Sequence, residues 1–157
     1  MRAVAPSAER RGAFLVCRVG ELLCGLRLDH VSETMRPLPC EPIAGAPPFV
    51  RGVSVIRGET IPVVDAWLLL GVEGSIPSRL VVVNVASRQV ALAVRDVVGI
   101  QEIADDAFHE LPPLLAGANG DIVAALGTLD TELLVVLRDA RLVPQAIWDL
   151  LERPTSS

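Results

Sequence analysis

The sequence predicts a mainly β fold, built as two similar small β-barrels with two short helices. Three observations support this class. Apolar runs of strand length recur along the chain, with turn signals between them. Two hairpin patterns return later in the chain at a nearly constant offset, which is typical of repeated structural units. The 157 residues suit one domain, or two very small units that share a core.

The first half of the chain predicts two hairpins separated by a loop. Gly20-Glu21 forms the first turn, and Arg57-Gly58-Glu59 forms the second, with Gly58 free to adopt a positive φ. Residues 36–48 contain five prolines and are predicted to be a loop, because proline cannot donate to a β-ladder. The predicted strands are residues 14–19, 22–28, 31–35, 52–56 and 60–64.

Two further features are predicted around the second hairpin. Pro62 indicates that its strand lies at a sheet edge or carries a bulge. Asp65 can cap a short helix over residues 66–70, which Gly71 would end.

The second half predicts two more hairpins and a C-terminal helix. The helix starts at Pro144, a favoured first position, and places Val143, Ile147, Leu150 and Leu151 on one apolar stripe that docks on the barrels. Residues 104–120 are predicted to be a connection rich in proline and glycine. The predicted strands are residues 80–85, 90–94, 97–103, 122–129 and 132–137.

An internal repeat relates the two halves. A shift of 66 residues places Leu26-Arg27-Leu28 over Leu92-Ala93-Val94, and Val31 over Val97. A shift of 73 places residues 56–61 over residues 129–134. Two matched hairpin pairs predict two similar barrels.

Composition excludes several classes of function. The longest apolar runs are far shorter than the roughly 18 residues of a membrane span, and the N-terminus has no apolar signal-peptide core. The net charge of −5 and the 3% aromatic content argue against nucleic-acid binding. Three cysteines without metal-ligand spacing are typical of reduced thiols. The sequence therefore predicts a cytoplasmic protein without direct membrane insertion.

No motif predicts catalysis or a metal or cofactor site. The two histidines, His30 and His109, lie in different segments without ligand spacing. The pair Asp105-Asp106 lies in a turn-like stretch and is more simply a solvated cap than an acid/base pair. The sequence therefore predicts no catalytic, metal-binding or cofactor-binding residue.

The most distinctive segment is residues 48–65. It contains the run Pro48-Phe49-Val50-Arg51-Gly52, the tip Arg57-Gly58 and the exit Pro62-Val63-Val64-Asp65. This segment resembles the CheW family of chemotaxis coupling proteins, whose members carry a similar Pro-x-Phe-hydrophobic-Lys/Arg-Gly run, an Arg-Gly tip and a Pro-x-Val-Asp exit. The resemblance extends over about residues 13–152, through Val31-Ser32-Glu33 and the last predicted hairpin.

The resemblance implies a fold, partners and site residues. The fold is two five-stranded barrels of SH3/OB-like type, side by side. The implied protein is a non-enzymatic adaptor that couples the cytoplasmic tips of chemoreceptors, the methyl-accepting chemotaxis proteins, to the regulatory domain of the histidine kinase CheA. The implied receptor-binding residues are Val31, Glu33, Gly52 and Arg57. A kinase-binding surface is expected at hairpin tips, where Arg88 and Asp130 are candidates.

Several interpretations of these residues stay open. Val31 can be a core residue, Glu33 and Arg57 can be solvated, and Gly52 can serve the backbone conformation instead of contacting a partner. Two other functions also stay open: a double-barrel adaptor in another chemosensory-like pathway, such as surface motility or development, and a small β-barrel enzyme or metabolite-binding protein. The expected organisation is a flexible N-terminus (1–12), one domain of two intertwined barrels (13–152) and a polar tail (153–157).

Overall fold

The computed structural model describes residues 11–72, 76–104, 107–108, 122–138 and 141–152, and within these ranges the fold is mainly β. The strands are β1 (Arg11–Val19), β2 (Leu22–Arg27), β3 (Val31–Met35), β4 (Val50–Ile56), β5 (Glu59–Asp65), β6 (Arg79–Val85), β7 (Arg88–Val94), β8 (Asp96–Ala104), β9 (Val123–Leu129) and β10 (Glu132–Leu137). The helices are α1 (Ala66–Leu70) and α2 (Gln145–Glu152).

The strands form two five-stranded sheets. The first sheet has the order β8-β1-β2-β10-β9, and the second has the order β3-β6-β7-β5-β4. In each sheet one parallel pair joins two antiparallel hairpins: β2 with β10 in the first, and β5 with β7 in the second. The prediction of two similar five-stranded units is confirmed.

The repeat found in the sequence matches this topology. The shift of 66 residues places β1, β2 and β3 over β6, β7 and β8, and the shift of 73 places β4 and β5 over β9 and β10. Under these shifts the two sheets have the same strand order. Their third strands are exchanged, since β3 pairs with β6 and β8 pairs with β1.

Buried side chains form three apolar clusters. The largest, the shared core, joins residues of both sheets and both helices, including Leu26, Trp67, Leu92 and Trp148. A second cluster, the second-sheet cluster, is built around Val63 and other residues of β4 to β7. The third, the first-sheet cluster, consists of Phe14, Val16, Leu23, Ile103, Leu134 and Val136. Along the three inner strands of each sheet (β1, β2 and β10; β5, β6 and β7), alternate residues therefore serve the shared core or the sheet's own cluster.

The expectation that Pro62 marks a sheet edge is wrong. Its strand, β5, lies inside the second sheet between β4 and β7. Pro62 lies opposite Val53, whose own N–H and C=O bond to Glu41 instead. Pairing with β7 begins only at Val63, so the missing N–H of the proline costs no ladder bond. A register shift does occur in this hairpin, but it lies between Val50 and Gly52 on β4.

Some element boundaries differ from the sequence expectations. β1 begins at Arg11, before the expected start at Phe14, because Arg11 pairs with Ala104 of β8. The second strand ends at Arg27, and residues 28–30 form a 3-10 turn. Of the predicted connection over residues 104–120, residues 105–106 and 109–120 lie outside the described residues, as do residues 1–10 and 153–157.

The helix α2 docks on the shared core through a slightly different face than expected. Val143 and Ile147 are buried as predicted, and Leu151 is partly buried. Leu150, however, is 40% exposed, and Trp148 is buried in its place. The buried face of α2 is therefore rotated toward Trp148 and away from Leu150.

The helix α1 has the predicted capping residues at both ends. The carboxylate of Asp65 accepts hydrogen bonds from the backbone N–H of Trp67 at 2.9 Å and of Leu68 at 3.2 Å. Gly71 adopts a left-handed conformation (φ 70°) at the other end. These caps fix a helix of only five residues, which buries Trp67 in the shared core.

We predict that Asp65→Ala lowers the free energy of unfolding by about 1 kcal/mol, because two helix N–H groups lose their acceptor. The measurement is urea denaturation followed by circular dichroism. Asp65→Asn is the matched control, since it keeps an acceptor but loses the ion pair with Arg51, which lies at 3.4 Å. Equal losses for the two variants would assign the effect to the ion pair and contradict the capping role.

Candidate functional site

The candidate site is centred on an ion pair between Glu33 and Arg57. Arg57 Nε donates a hydrogen bond to Glu33 Oε2 at 2.8 Å. This bond raises the pKa of Arg57 above its ordinary value, so the guanidinium stays charged. The Arg57 side chain is 77% exposed and the Glu33 side chain is 26% exposed. The pair is therefore intact in the free protein, and its cation remains open to a partner.

The backbone at the β4–β5 turn presents Arg57 outward. Arg57 has φ 51° and Gly58 has φ 80°, so both residues adopt positive φ. Consecutive positive φ values are typical of the tight hairpin turn whose twist matches the flanking strands. The sequence predicted positive φ for Gly58, but nothing in it indicated the same for Arg57.

The ion pair connects the two outermost strands of the second sheet. Glu33 belongs to β3 and Arg57 follows β4, the first and last strands in the sheet order. In a flat sheet these strands would lie about 19 Å apart, farther than the two side chains can reach together. The sheet is therefore strongly curved, and Met35 and Ile56 of the same two strands pack with one cluster.

The other two predicted receptor residues take no part in this ion pair. Val31, the first residue of β3, is half-buried and packs against the shared core. Gly52 is buried five residues before Arg57 on β4, about 17 Å along the strand. The structure therefore brings Glu33 and Arg57 together but does not bring Gly52 to them.

Gly52 is required by a close approach of two backbone segments. Its φ is 142°, and a Cβ at this position would lie 2.1 Å from the carbonyl oxygen of Glu41. Glu41 and Val53 exchange two backbone hydrogen bonds at 2.8 and 2.9 Å. A side chain at residue 52 would push the proline-rich loop off β4.

A second contact, which the sequence analysis missed, holds the same loop. Ser54 is buried on β4, and its hydroxyl donates to the carbonyl oxygen of Pro39 at 2.7 Å. Cys40 Sγ lies 3.4 Å from the same hydroxyl and packs against the second-sheet cluster. The only signal in the sequence is a serine between the apolar residues Val53 and Val55 of a strand.

The candidate kinase residues have different surroundings. Arg88 Nε lies 2.8 Å from Glu152 Oε1, and its guanidinium lies 4.9 Å from the ring centre of Trp148. Both contacts are with α2, so Arg88 holds the helix against the second sheet. Asp130 is an exposed residue of the β9–β10 turn with φ 57°.

The first sheet carries an ion pair of its own that the sequence did not predict. Arg18 on β1 binds Glu132 through two hydrogen bonds of 2.7 and 3.1 Å, a two-pronged geometry. The hydrogen bond lowers the pKa of Glu132. The stabilisation that the ionised Glu132 gives to the folded state is therefore present at neutral pH. It is lost only as the pH falls through this lowered pKa.

Thiol chemistry at Cys17 and Cys24 and metal binding find no support among the described residues. Cys17 and Cys24 face each other on β1 and β2 and are fully buried. Hydrogen bonding from Cys17 and burial raise the pKa of Cys24 well above its ordinary value, which disfavours the reactive thiolate.

The described part of the chain contains no group of three or more His, Cys, Asp or Glu placed to hold a metal ion. It also contains no helix with the length and hydropathy of a membrane span.

Comparison with known proteins agrees with the sheet topology. The CheW-like domain matches residues 13–146. The protein FrzA of Myxococcus xanthus is 34% identical over 119 residues, covering 74% of this chain and 73% of FrzA. The chemotaxis protein CheW of Rhizobium meliloti is 31% identical over 104 residues, covering 64% of this chain and 67% of that protein.

A solved structure has the same fold. The crystal structure of the scaffolding protein TtCheW from Thermoanaerobacter tengcongensis superposes with a TM-score of 0.72 at 23% identity, covering 82% of this chain and 90% of that one. At this identity the likeness concerns the fold, while the sequence matches establish the family. Together with the repeated sheets and their exchanged strands, these matches mean that the chain belongs to the CheW family.

Proposed function

We propose that this protein is a non-enzymatic cytoplasmic adaptor that couples the cytoplasmic tips of chemoreceptors to the regulatory domain of the histidine kinase CheA. The observation that carries the proposal is the Glu33–Arg57 pair, within a domain of the CheW family. The Arg57 guanidinium is held at a fixed position by Glu33, and most of its side chain is exposed. Such a cation suits reversible docking of another protein.

The surroundings of Arg57 support docking of a helical receptor tip. Val55, two residues earlier on β4, is 68% exposed and adds an apolar contact beside the cation. A helix presents apolar and acidic side chains at spacings that such a mixed surface can meet. The planar guanidinium can also bind a receptor carboxylate in a two-pronged manner while Glu33 keeps it oriented.

A second candidate function differs only in the pathway. The 34% identity with FrzA, a relative that does not carry the name CheW, favours considering an adaptor for the receptor and kinase of another chemosensory-like pathway. Co-purification from the native cytoplasm, with identification of the receptor and kinase by mass spectrometry, separates the two.

We predict that Arg57→Glu weakens binding of a receptor cytoplasmic fragment at least about tenfold, because it removes a fixed cation and places two carboxylates side by side. The measurement is isothermal titration calorimetry. Arg79→Glu is the matched control, since Arg79 is exposed on β6 and the charge change is the same.

A charge swap sharpens this test. The double variant Glu33→Arg with Arg57→Glu can restore an internal ion pair with the charges exchanged. If Arg57 contacts the receptor, the double variant folds normally and still binds weakly. Full recovery of binding would mean that the pair serves only the fold and would contradict the proposed contact.

We predict that Gly52→Ala lowers the free energy of unfolding by about 2 kcal/mol or more, because its Cβ overlaps the Glu41 carbonyl. Gly58→Ala is the matched control: it has positive φ but open space around it, so about 1 kcal/mol is expected. Equal losses in chemical denaturation would contradict the close approach.

Gly52→Asp is expected to weaken receptor docking more than Arg79→Glu does, by displacing the loop.

We predict different outcomes for the two candidate kinase residues. Asp130→Lys is expected to weaken binding of the kinase regulatory domain, with a loss of stability of no more than about 1 kcal/mol from its positive φ, since the side chain is exposed. Arg88→Ala is expected to lower the melting temperature, because it removes the contacts with Glu152 and Trp148. Kinase binding that is unaffected by Asp130→Lys would remove the β9–β10 turn from the interface.

A further inference from the structure

The proline-rich loop contains a motif that the proposed function does not use. Residues 36–42 have the sequence Arg-Pro-Leu-Pro-Cys-Glu-Pro, in which Arg36, Pro39 and Pro42 follow one another at intervals of three. Extended segments with the spacing Pro-x-x-Pro are ligands of domains that bind polyproline helices. We call residues 36–42 the proline segment.

The residue types restrict the proline segment to an extended conformation. Proline fixes its own φ at about −65° and keeps the residue before it out of the helical region. Six of the seven residues are either a proline or directly before one, and only Cys40 is unrestricted. In the structure, residues 36–40 lie outside any helix or strand, and Glu41 forms an isolated bridge with Val53. This combination favours a polyproline II helix, which has three residues per turn.

Burial along the loop follows this period of three. Cys40 is half-buried and packs against the second-sheet cluster, and Ile43, three residues later, packs against the shared core. The residues on the other two edges of the segment are exposed: Leu38, Pro39, Glu41 and Pro42. One edge of the proline segment therefore packs on the protein, while the pairs that end in Pro39 and Pro42 are accessible to a partner.

Hydrogen bonds to β4 hold the proline segment in place. The Ser54 hydroxyl donates to the carbonyl oxygen of Pro39 at 2.7 Å, and Glu41 exchanges two backbone bonds with Val53 at 2.8 and 2.9 Å. These bonds keep the segment at the opening of a second-sheet cavity of about 300 Å³, which residues 37–40 line. Since the segment is already ordered, a partner that binds it loses less conformational entropy.

Arg36 adds a cation at one end of the proline segment. Its side chain is exposed and forms no ion pair with any described residue. A guanidinium in this position is complementary to a carboxylate at one end of a proline-binding groove, and it gives the bound segment a direction. The partner that fits therefore has an aromatic-lined groove with an acidic residue beside it.

A second copy of this chain does not provide such a groove. The sequence has three phenylalanines, two tryptophans and no tyrosine. Phe14, Trp67 and Trp148 are buried, so their rings belong to the cores. Because proline-rich segments bind between exposed aromatic side chains, the partner is a different protein.

We propose that the proline segment docks into the acidic, aromatic-lined groove of an SH3-type domain of another protein. Leu38-Pro39 and Glu41-Pro42 occupy two successive sites of the groove, and Arg36 binds the carboxylate at its end. This docking adds a partner to a protein whose proposed role is to connect a receptor and a kinase. It does not depend on the receptor contact of Arg57.

The test is calorimetric titration of the full chain with a purified SH3 domain that prefers ligands with arginine three residues before a Pro-x-x-Pro. Arg36→Glu and Pro39→Ala are each expected to weaken binding at least about tenfold, the first through charge and the second through the groove. Pro39→Ala keeps the carbonyl group that Ser54 binds, and urea denaturation of each variant checks that the fold is intact.

Two variants are matched controls that should bind as the unmodified chain does. Pro48→Ala removes an exposed proline of the same loop outside the proline segment. Arg138→Glu makes the same charge change as Arg36→Glu at an exposed arginine that follows β10.

A second form of the probe tests the role of Arg36 directly. In this form the acidic residues of the SH3 groove are replaced by alanine. It is expected to bind the unmodified chain at least about tenfold more weakly, and Arg36→Glu should then cause no further loss, because the two changes remove the same ion pair. Three results would overturn the proposal: no binding of the SH3 domain to the full chain, equal losses in the control variants, or an undiminished effect of Arg36→Glu with the neutralised groove.

Discussion

The shared core between the two sheets is the constraint on which the rest of the structure depends. Each five-stranded sheet encloses a small cluster of its own, and such small cores supply little stability alone. Together the sheets bury a much larger apolar surface, to which both helices also contribute Trp67 and Trp148. Exchange of β3 and β8 strengthens this dependence, because neither sheet is complete without a strand from the other repeat.

The exchanged strand also creates the candidate site. β3 follows the first hairpin in the chain but lies at the edge of the second sheet, where it provides Glu33. Arg57 comes from the opposite edge of the same sheet, and the 2.8 Å contact between them depends on the curvature of that sheet. A docking surface placed at this junction is therefore tied to the integrity of both repeats.

The two repeats have the same strand order but different residues at the strand ends. In the second sheet the proline-rich loop bonds to β4 and narrows the opening, with Gly52 and Ser54 allowing its close approach. At the equivalent end of the first sheet, the described residues include Phe14, Phe108 and Arg27. Strand pattern thus maintains the common fold, while the residues at the strand ends make the two halves chemically distinct.

The sequence by itself determined the strands, the repeat, the Asp65 cap and the family resemblance, because these depend on local periodicity, turn chemistry and short motifs. It named Glu33 and Arg57 as candidates, but their contact joins residues 24 positions apart through sheet curvature. Only the tertiary structure decided that Pro62 lies inside a sheet, that Arg88 is occupied by α2, and that Gly52 accommodates Glu41. Each of these outcomes depends on which segments become neighbours, and strand pairing between distant residues leaves no local signal in the chain.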